Sequence, residues 1–363
     1  MKLIAAMSGG VDSAVAAARA KEQGHEVIGV HLALAKNPKK YRSGARGCCT
    51  IEDSHDARRA ADVIGIPFYI WDMADEFHEN VVENFLSEYS SGRTPNPCLR
   101  CNEKIKFAAV LDRAKAMGFA GVVTGHYAQM QESPSGRLLY RAIDPSKDQS
   151  YVLAVLTAEQ LQGAYFPLGD TTKADIRKEA AARGLSVANK PDSHDICFVP
   201  SGDNAGWLRE RLGSEVGPIV DENGVKIGEH KGAYTYTIGQ RRGLGLTVPA
   251  SSGEARYVLK IEPKTNTVVV GEREALAVVE ISGESPIWCG PIPESTESAM
   301  ARGFVQVRAH GQPQPCSYYR VINEIERLVV KLDNPILGLA TGQAMAIYDN
   351  DRVVGSVTIS ETK

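Results

Sequence analysis

Leu3-Ile4-Ala5-Ala6-Met7-Ser8-Gly9-Gly10-Val11-Asp12-Ser13 is the stretch that decides the fold. An apolar run is followed at once by paired glycines, and then by the alanine-rich Ser13–Gln23, which Gly24 stops. That order reads as strand, tight turn and helix. Ligands of open α/β sheets bind at the carboxyl ends of strands. Glycines let the backbone bring N–H groups close to an anion, serines add hydroxyl donors, and the helix N-terminus adds partial positive charge. The loop lacks the lysine of a GxxxxGK[ST] motif. Asp12 is out of place beside phosphates unless it binds Mg²⁺ or positions pyrophosphate. The bland alternative is a helix N-cap with glycines for close packing.

Outward from this point the alternation continues. Glu26–Leu34, Pro67–Trp71 and Gly121–Thr124 read as strands. Ile51–Ile64, Asp75–Ser90 and Glu103–Met117 read as helices, the last capped by Asn102 and closed by Gly118. The pattern predicts a doubly wound parallel sheet over residues 1–204. Beyond it β signals dominate. Tyr257–Ile261 and Thr267–Val270 flank a turn at Pro263–Asn266, and Gln343–Tyr348 and Val353–Ile359 flank Asp349–Arg352. A small β-containing central domain is expected at 205–275 and a C-terminal β-barrel at 276–363. Gly283–Ser298 reads as a linker with one short strand.

Composition sets limits. The chain has 363 residues, 43% hydrophobic and 23% charged, with a net charge of −3. So mild a balance makes any polyanion contact a matter of local basic patches. Met1–Met7 is too short an apolar run for a signal peptide, and no segment reaches the length of a membrane span; a cytoplasmic protein is expected. Seven cysteines, an odd number in a long chain, argue against a disulfide-stapled scaffold and for catalysis, redox chemistry or metal binding.

Two cysteine segments stand out. In Thr94-Pro95-Asn96-Pro97-Cys98-Leu99-Arg100-Cys101-Asn102 the prolines suggest a stiff approach. A position at a helix N-terminus, between Arg100 and Lys104, favours the Cys101 thiolate. Cys197 falls in the polar Asp192-Ser193-His194-Asp195-Ile196-Cys197-Phe198. Cys48 and Cys49 form a vicinal pair, poor spacing for zinc. Cys289 and Cys316 read as small residues of a β domain.

Ser8–Ser13 resembles the SGGxDS loop of N-type ATP pyrophosphatases, which cleave ATP between the α and β phosphates. Taken with Gly47-Cys48-Cys49, Gly65-Ile66-Pro67, Thr94–Phe107, Thr124–Ala128, Lys147–Tyr151, Ser193–Phe198 and Thr237–Gly245, the chain resembles the bacterial tRNA-specific 2-thiouridylases. The resemblance implies ATP-dependent adenylation of the 2-oxygen of the wobble uridine. Cys197 would carry a persulfide delivered by a sulfur-relay protein or cysteine desulfurase. Cys101 would be the nucleophile that resolves it, through a transient Cys101–Cys197 disulfide. Such a bond needs the two Cα atoms within about 6 Å. Asp12 would serve catalysis, with ATP and Mg²⁺ as cofactors.

The resemblance also assigns binding residues. ATP would lie against Ala6, Met7, Ser8, Gly9, Gly10, Val11, Asp12, Ser13, Leu32 and Gly125. The tRNA would meet Asn96, Pro97, Cys98, His126, Lys147, Asp148, Gln149, Arg241, Arg242, Arg308 and Gln343, the central domain taking part in that contact. The competing readings are a strand-end histidine for His126, core packing for Leu32, a solvated turn for Lys147–Gln149 and a solvated basic loop for Gln240–Arg242. Cys98 stands where many relatives have aspartate. Cys98, Cys101 and Cys197 together offer three thiolates, which would suit an iron–sulfur cluster. Either the persulfide route runs with Cys98 as a bystander, or a four-iron cluster is held. Two further readings are a small-molecule ligase of the same superfamily and an RNA-binding protein without activity. A monomer is expected.

Overall fold

The computed structural model describes residues 1–35, 51–192, 196–199, 202–246 and 253–363. Strand β1 (Lys2–Ala6) is apolar on both faces, with Leu3, Ile4 and Ala5 essentially inaccessible. That is the signature of a central parallel strand. It pairs in parallel with β2 (Glu26–Ala33) and β4 (Gly121–Val123); β3 (Phe68–Asp72) and the short β7 (Ala164–Tyr165) flank them, in order β3-β2-β1-β4-β7. The strand order reverses between β1 and β4, so the crevice opens where the Ser8–Ser13 and Thr124–His126 loops emerge. The first helix, Val11–Glu22, buries five alanines together with Val11, Ser13 and Val15. It ends in a left-handed Gly24 (φ 82°), whose N–H reaches the Lys21 carbonyl.

The two long helices beneath the sheet differ from expectation in detail. Ala74–Phe77 and Glu83–Ser90 are joined through a π-helical stretch, His78–Val82. The next helix starts at Pro97, not Glu103. Its N-cap is Asn96, whose side chain accepts from the N–H groups of Cys98 and Leu99, with Pro97 in the first turn. It continues through a π stretch, Asn102–Ala109, to Ala116. Asn102 is therefore interior: it is buried and donates to the Val152 carbonyl. Cys98, rather than Cys101, sits at the helix N-terminus.

The central unit holds β8 (Gly217–Val220), β9 (Lys226–His230), β10 (Tyr257–Glu262) and β11 (Thr267–Gly271), in order β10-β11-β8-β9. Its small core comprises Ile219, Ala233, Leu244, Val258, Val268 and Val270. The expected hairpin turns through a left-handed Asn266 (φ 47°).

In the C-terminal unit, β12 (Ala277–Glu284), β16 (Glu326–Leu337), β15 (Gln314–Ile322), β14 (Ala301–Gln306), β17 (Ala344–Asp349) and β18 (Arg352–Thr358) are neighbours in that order. The chain then passes into β19 (Glu361–Thr362), which pairs with β12 and closes the barrel. The stretch read as a linker is pinned instead. Its strand β13 (Ile287–Trp288) pairs with β18, and Cys289 is wholly buried against the carbonyls of Ala154 and Leu156.

The barrel also recruits a hairpin from the N-terminal region. β5 (Gln129–Ser133) and β6 (Gly136–Tyr140) extend its sheet through the Tyr140–Arg352 pair. A shared apolar core follows, in which Leu99, Phe107, Tyr151 and Leu156 pack with Cys289, Ala344, Tyr348 and Val353. Tyr151 Oη donates to the Ala344 carbonyl at 2.9 Å, and Ser356 Oγ to the Ala154 carbonyl at 2.7 Å. The barrel is thereby welded to the helix that carries Cys98 and Cys101.

Candidate active site at the carboxyl edge of the parallel sheet

The Ser8–Ser13 loop is organised from within. Ser13 Oγ accepts from the Ser8 N–H at 3.2 Å, lies 3.3 Å from Ser8 Oγ and donates to the Gly10 carbonyl at 3.1 Å. Gly9 is left-handed (φ 81°) and lies on the Asp53 backbone of the Ile51–Ile64 helix, where a side chain would collide. Gly125 has the same role from the opposite side. A Cβ there would fall 2.6 Å from the Asp12 carbonyl carbon and the Ser13 nitrogen. The glycine after β4 thus lets two strand-end loops touch, so a residue expected to approach nucleotide also shapes the cradle. Ala6 and Leu32 are half-buried at the strand ends, Met7 and Val11 are buried, and Ser8 is exposed at the mouth.

Asp12 has acquired partners that no local pattern announced. Lys173 Nζ lies 2.6 Å from each of its carboxylate oxygens, and Tyr127 Oη donates to Oδ1 at 2.7 Å. Lys173 also reaches Asp192 at 3.0 Å, and Asp192 is shared with Lys147 and Arg177, each at 2.7 Å. Partial burial works against the Asp192 carboxylate's charge, but the hydrogen bonds from Lys147 and Lys173 prevail and hold its pKa at about 2. Burial and the Asp12 charge push the Tyr127 hydroxyl far above its ordinary pKa, so it stays a donor. Behind the loop, Lys190 donates to the Gly9 carbonyl (2.9 Å), Asp53 (2.7 Å) and Asp56 (2.7 Å). Burial opposes the Lys190 charge, and the two carboxylates outweigh it and raise its pKa.

The thiol side of the edge is apolar. Cys101 is 9% exposed, and it packs in one cluster with Phe77, Phe85, Trp207 and Phe198; half-buried Cys197 packs against the same cluster, as do Ala6 and Leu32. The two cysteines, remote in sequence, therefore belong to one apolar cluster that also takes in the strand-end residues Ala6 and Leu32. Phe85 is the hub, edge-on to Tyr89, Phe198 and Trp207. Cys98 is exposed. Among the described residues no three His, Cys, Asp or Glu side chains converge as a metal set. Asp12 is the carboxylate that stands in the Ser8–Ser13 loop. Cys48, Cys49 and Ser193–Asp195 lie outside the described residues.

Other expected contacts are placed differently. His126 is 8% exposed, its ring packed by Phe107 and Phe166 and its Nδ1 2.7 Å from Thr124 Oγ1. Burial drives its pKa well below the ordinary value, so it is neutral, and little of it is exposed. Asp148 accepts from Arg141, Ser150 and the Ala142 N–H, and Gln149 exchanges hydrogen bonds with the Tyr127 backbone. These bonds lock the turn. Cys289 and Cys316 are core thiols, each pushed up to about 12 by burial.

Arg241 and Arg242 are exposed on the central unit, and so is Arg308 on the barrel. They share one seam, because Gly239 lies against Gly338, whose carbonyl accepts from Arg308 at 2.7 Å. Gln343 is half-buried, its side-chain oxygen accepting from the Ala340 N–H.

A family model described as a tRNA methyl transferase HUP domain matches residues 1–201. One described as a tRNA methyl transferase PRC-barrel domain matches 205–272, and an aminomethyltransferase β-barrel domain matches 278–359. Curated relatives match along the whole chain. A Thermobifida fusca protein is 60% identical, spanning 100% of this chain and 96% of its own length. A Nocardioides protein is 58% identical (100% and 98%), and one from Acidothermus cellulolyticus 57% (100% and 98%). All three are named tRNA-specific 2-thiouridylase MnmA. With a glycine-serine loop at a strand end, two cysteines in one apolar cluster, and relatives this similar from end to end, the chain belongs to the tRNA-specific 2-thiouridylase family.

Proposed function

We propose that the protein catalyses ATP-dependent 2-thiolation of the wobble uridine of tRNA. The observation that carries this reading is the packing of Cys101 and Cys197 in one apolar cluster that also takes in Ala6 and Leu32. A ligase that uses ammonia or an amino acid has no use for such a pair, and a plain RNA binder has none for the phosphate loop.

The loop N–H groups, Ser8 and Ser13 would hold the nucleotide's phosphates, and Leu32 would lie against the adenine. Mg²⁺ would accompany the phosphates, with Asp12 as the loop carboxylate facing it. The uridine 2-oxygen attacks the α-phosphorus, and pyrophosphate leaves with the electron pair of the broken P–O bond. The base loses its N3 proton. AMP on the 2-oxygen turns a poor leaving group into a good one. Cys197 carries the outer sulfur of a persulfide, supplied by a relay protein or desulfurase. That sulfur adds to carbon 2 and AMP departs. The Cys101 thiolate attacks Cys197, releasing sulfur to the base and leaving a Cys101–Cys197 disulfide that an external thiol reduces. The shared apolar packing would limit water at the persulfide. Arg241, Arg242 and Arg308 would track the tRNA backbone, and Asn96–Cys98 would face the base. The enzyme would act as a cytoplasmic monomer. Among the described residues no helix is long and apolar enough to cross a membrane.

Incubation with ATP, a persulfide donor and tRNA carrying an unmodified wobble uridine should give 2-thiouridine and AMP, resolved by chromatography of the digested nucleosides. Cys197→Ser should drop persulfide-dependent thiolation to background while AMP formation continues. Full thiolation by that variant would overturn the roles given to the cysteines, and AMP without any thionucleoside in the wild type would favour a ligase.

A further inference from the structure

We propose that Lys173 is the missing lysine of the phosphate loop, a catalytic residue that binds the β- and γ-phosphates of ATP and neutralises departing pyrophosphate. The inference rests on the ATP reading above. The loop has no lysine of its own. Phosphoryl chemistry still requires positive charge where the leaving oxygens gather. The fold delivers an ammonium from the start of the Lys173–Ala182 helix, remote in sequence, onto the side chain of Asp12.

Three features separate Lys173 from an ordinary salt-bridge lysine. It is 8% exposed, so its charge acts in a medium that screens poorly. It is held on several sides: its backbone N–H donates to Asp144, its Nζ lies 5.7 Å from the Tyr127 ring centre, and both carboxylate oxygens of Asp12 accept from it. And the cluster gathers cations at one point. Lys147, Lys173 and Arg177 converge on Asp192, with Asp12 and Asp144 balancing their charge, so three positive groups stand beside the loop. Lys190 has a different place. Its three contacts all lie behind the loop, on the Gly9 carbonyl and on the Ile51–Ile64 helix, where it serves as a tether. Asp12 and Asp192 are positioning residues, holding the ammonium until phosphate oxygens compete for it. In the step itself the uridine oxygen bonds to Pα, the bond from Pα to the bridging oxygen breaks, and that oxygen's electron pair stays on pyrophosphate. Lys173 keeps its proton and stabilises the charge that develops.

Calorimetry on the full-length protein, with inorganic pyrophosphate and with AMP separately, tests this. Lys173→Met should weaken pyrophosphate binding ~10- to 100-fold and leave AMP binding within about twofold, since AMP lacks the phosphates concerned. Lys173→Arg should recover most of the pyrophosphate affinity. With tRNA present, AMP formation by Lys173→Met should fall ~10²-fold. On the wild-type protein, pyrophosphate should shield Lys173 from acylation, as mapped by mass spectrometry, and this arm needs no variant to fold. Unchanged pyrophosphate affinity in folded Lys173→Met, or acylation of Lys173 unaffected by saturating pyrophosphate, overturns the assignment and leaves the ATP reading standing. A wild-type protein that binds neither AMP nor pyrophosphate overturns both.

Discussion

The two sides of the candidate site are built from opposite materials. On the phosphate side almost every contact is polar and charged, and most tie residues far apart in sequence: Lys173 to Asp12, Lys190 to Asp53, Arg177 to Asp192. On the thiol side Cys101 and Cys197 sit among Phe77, Phe85, Phe198 and Trp207. The contrast follows the chemistry each side would perform. Polyphosphate needs fixed dipoles and charges that are in place before it arrives. A persulfide needs shelter from water and from stray thiols, with its resolving partner close by. One sheet edge supplies both because β1 ends in a loop of small polar residues while the helices under the sheet present aromatic side chains.

The contrast can be broken from either side. The largest effect should come from Phe85→Ala. Phe85 is 1% exposed and touches three other aromatic residues, so its loss should cost about 3–5 kcal/mol of stability. Urea denaturation would measure this. Alkylation of Cys101 by iodoacetamide should quicken under native conditions, with pyrophosphate affinity little changed. Equal damage to both would mean that the two sides are not separable.

Gly125→Ala addresses the phosphate side. The new methyl must displace the Asp12–Ser13 backbone from 2.6 Å. A loop shift of that order should lower the AMP-forming rate ~10²-fold, while Cys101 alkylation stays at the wild-type rate. A variant with normal turnover would show that the cradle is more compliant than its packing implies.

The smallest effect concerns His126. Its folded pKa lies well below the ordinary 6.5 because it is buried. Below pH 6.5 the unfolded chain takes up a proton that the native ring refuses, so stability falls as pH drops from 6.5 towards the native value. It is fully retained above 6.5. His126→Gln should flatten this part of the profile of urea midpoint against pH. A wild-type midpoint that rises on acidification through this range would contradict a buried neutral ring.

How much of this could be read from the chain depends on whether the signal was local. The strand, glycine turn and alanine-rich helix of residues 2–22 were legible because each rests on neighbours in sequence. The start of the Cys98–Cys101 helix was misplaced, at Asn102 and Glu103 in place of Asn96 and Pro97. Asn96 followed by Pro97 is the stronger capping signal, because proline fits the first helical turn; Asn102, followed by no such residue, is a buried interior position. The β5–β6 hairpin went unread in the sequence, and nothing in Gln129–Tyr140 says that it joins a barrel completed far downstream. Lys147, Asp148 and Gln149 form another such case. Their composition suits a solvated turn, while their partners Asp192, Arg141 and Tyr127 are chosen by the fold.

The sequence alone determined a parallel α/β sheet with an anion-binding loop at a strand end, two cysteine segments, and a β-rich remainder. Those follow from hydrophobic period, glycine placement and residue type, all short-range properties of a chain. Tertiary structure alone decided that a lysine would stand over Asp12, that the two cysteines would share one apolar cluster, and that His126 would be sealed between aromatic rings. Coulomb and packing energies depend on distance in space, and only the folded chain sets those distances.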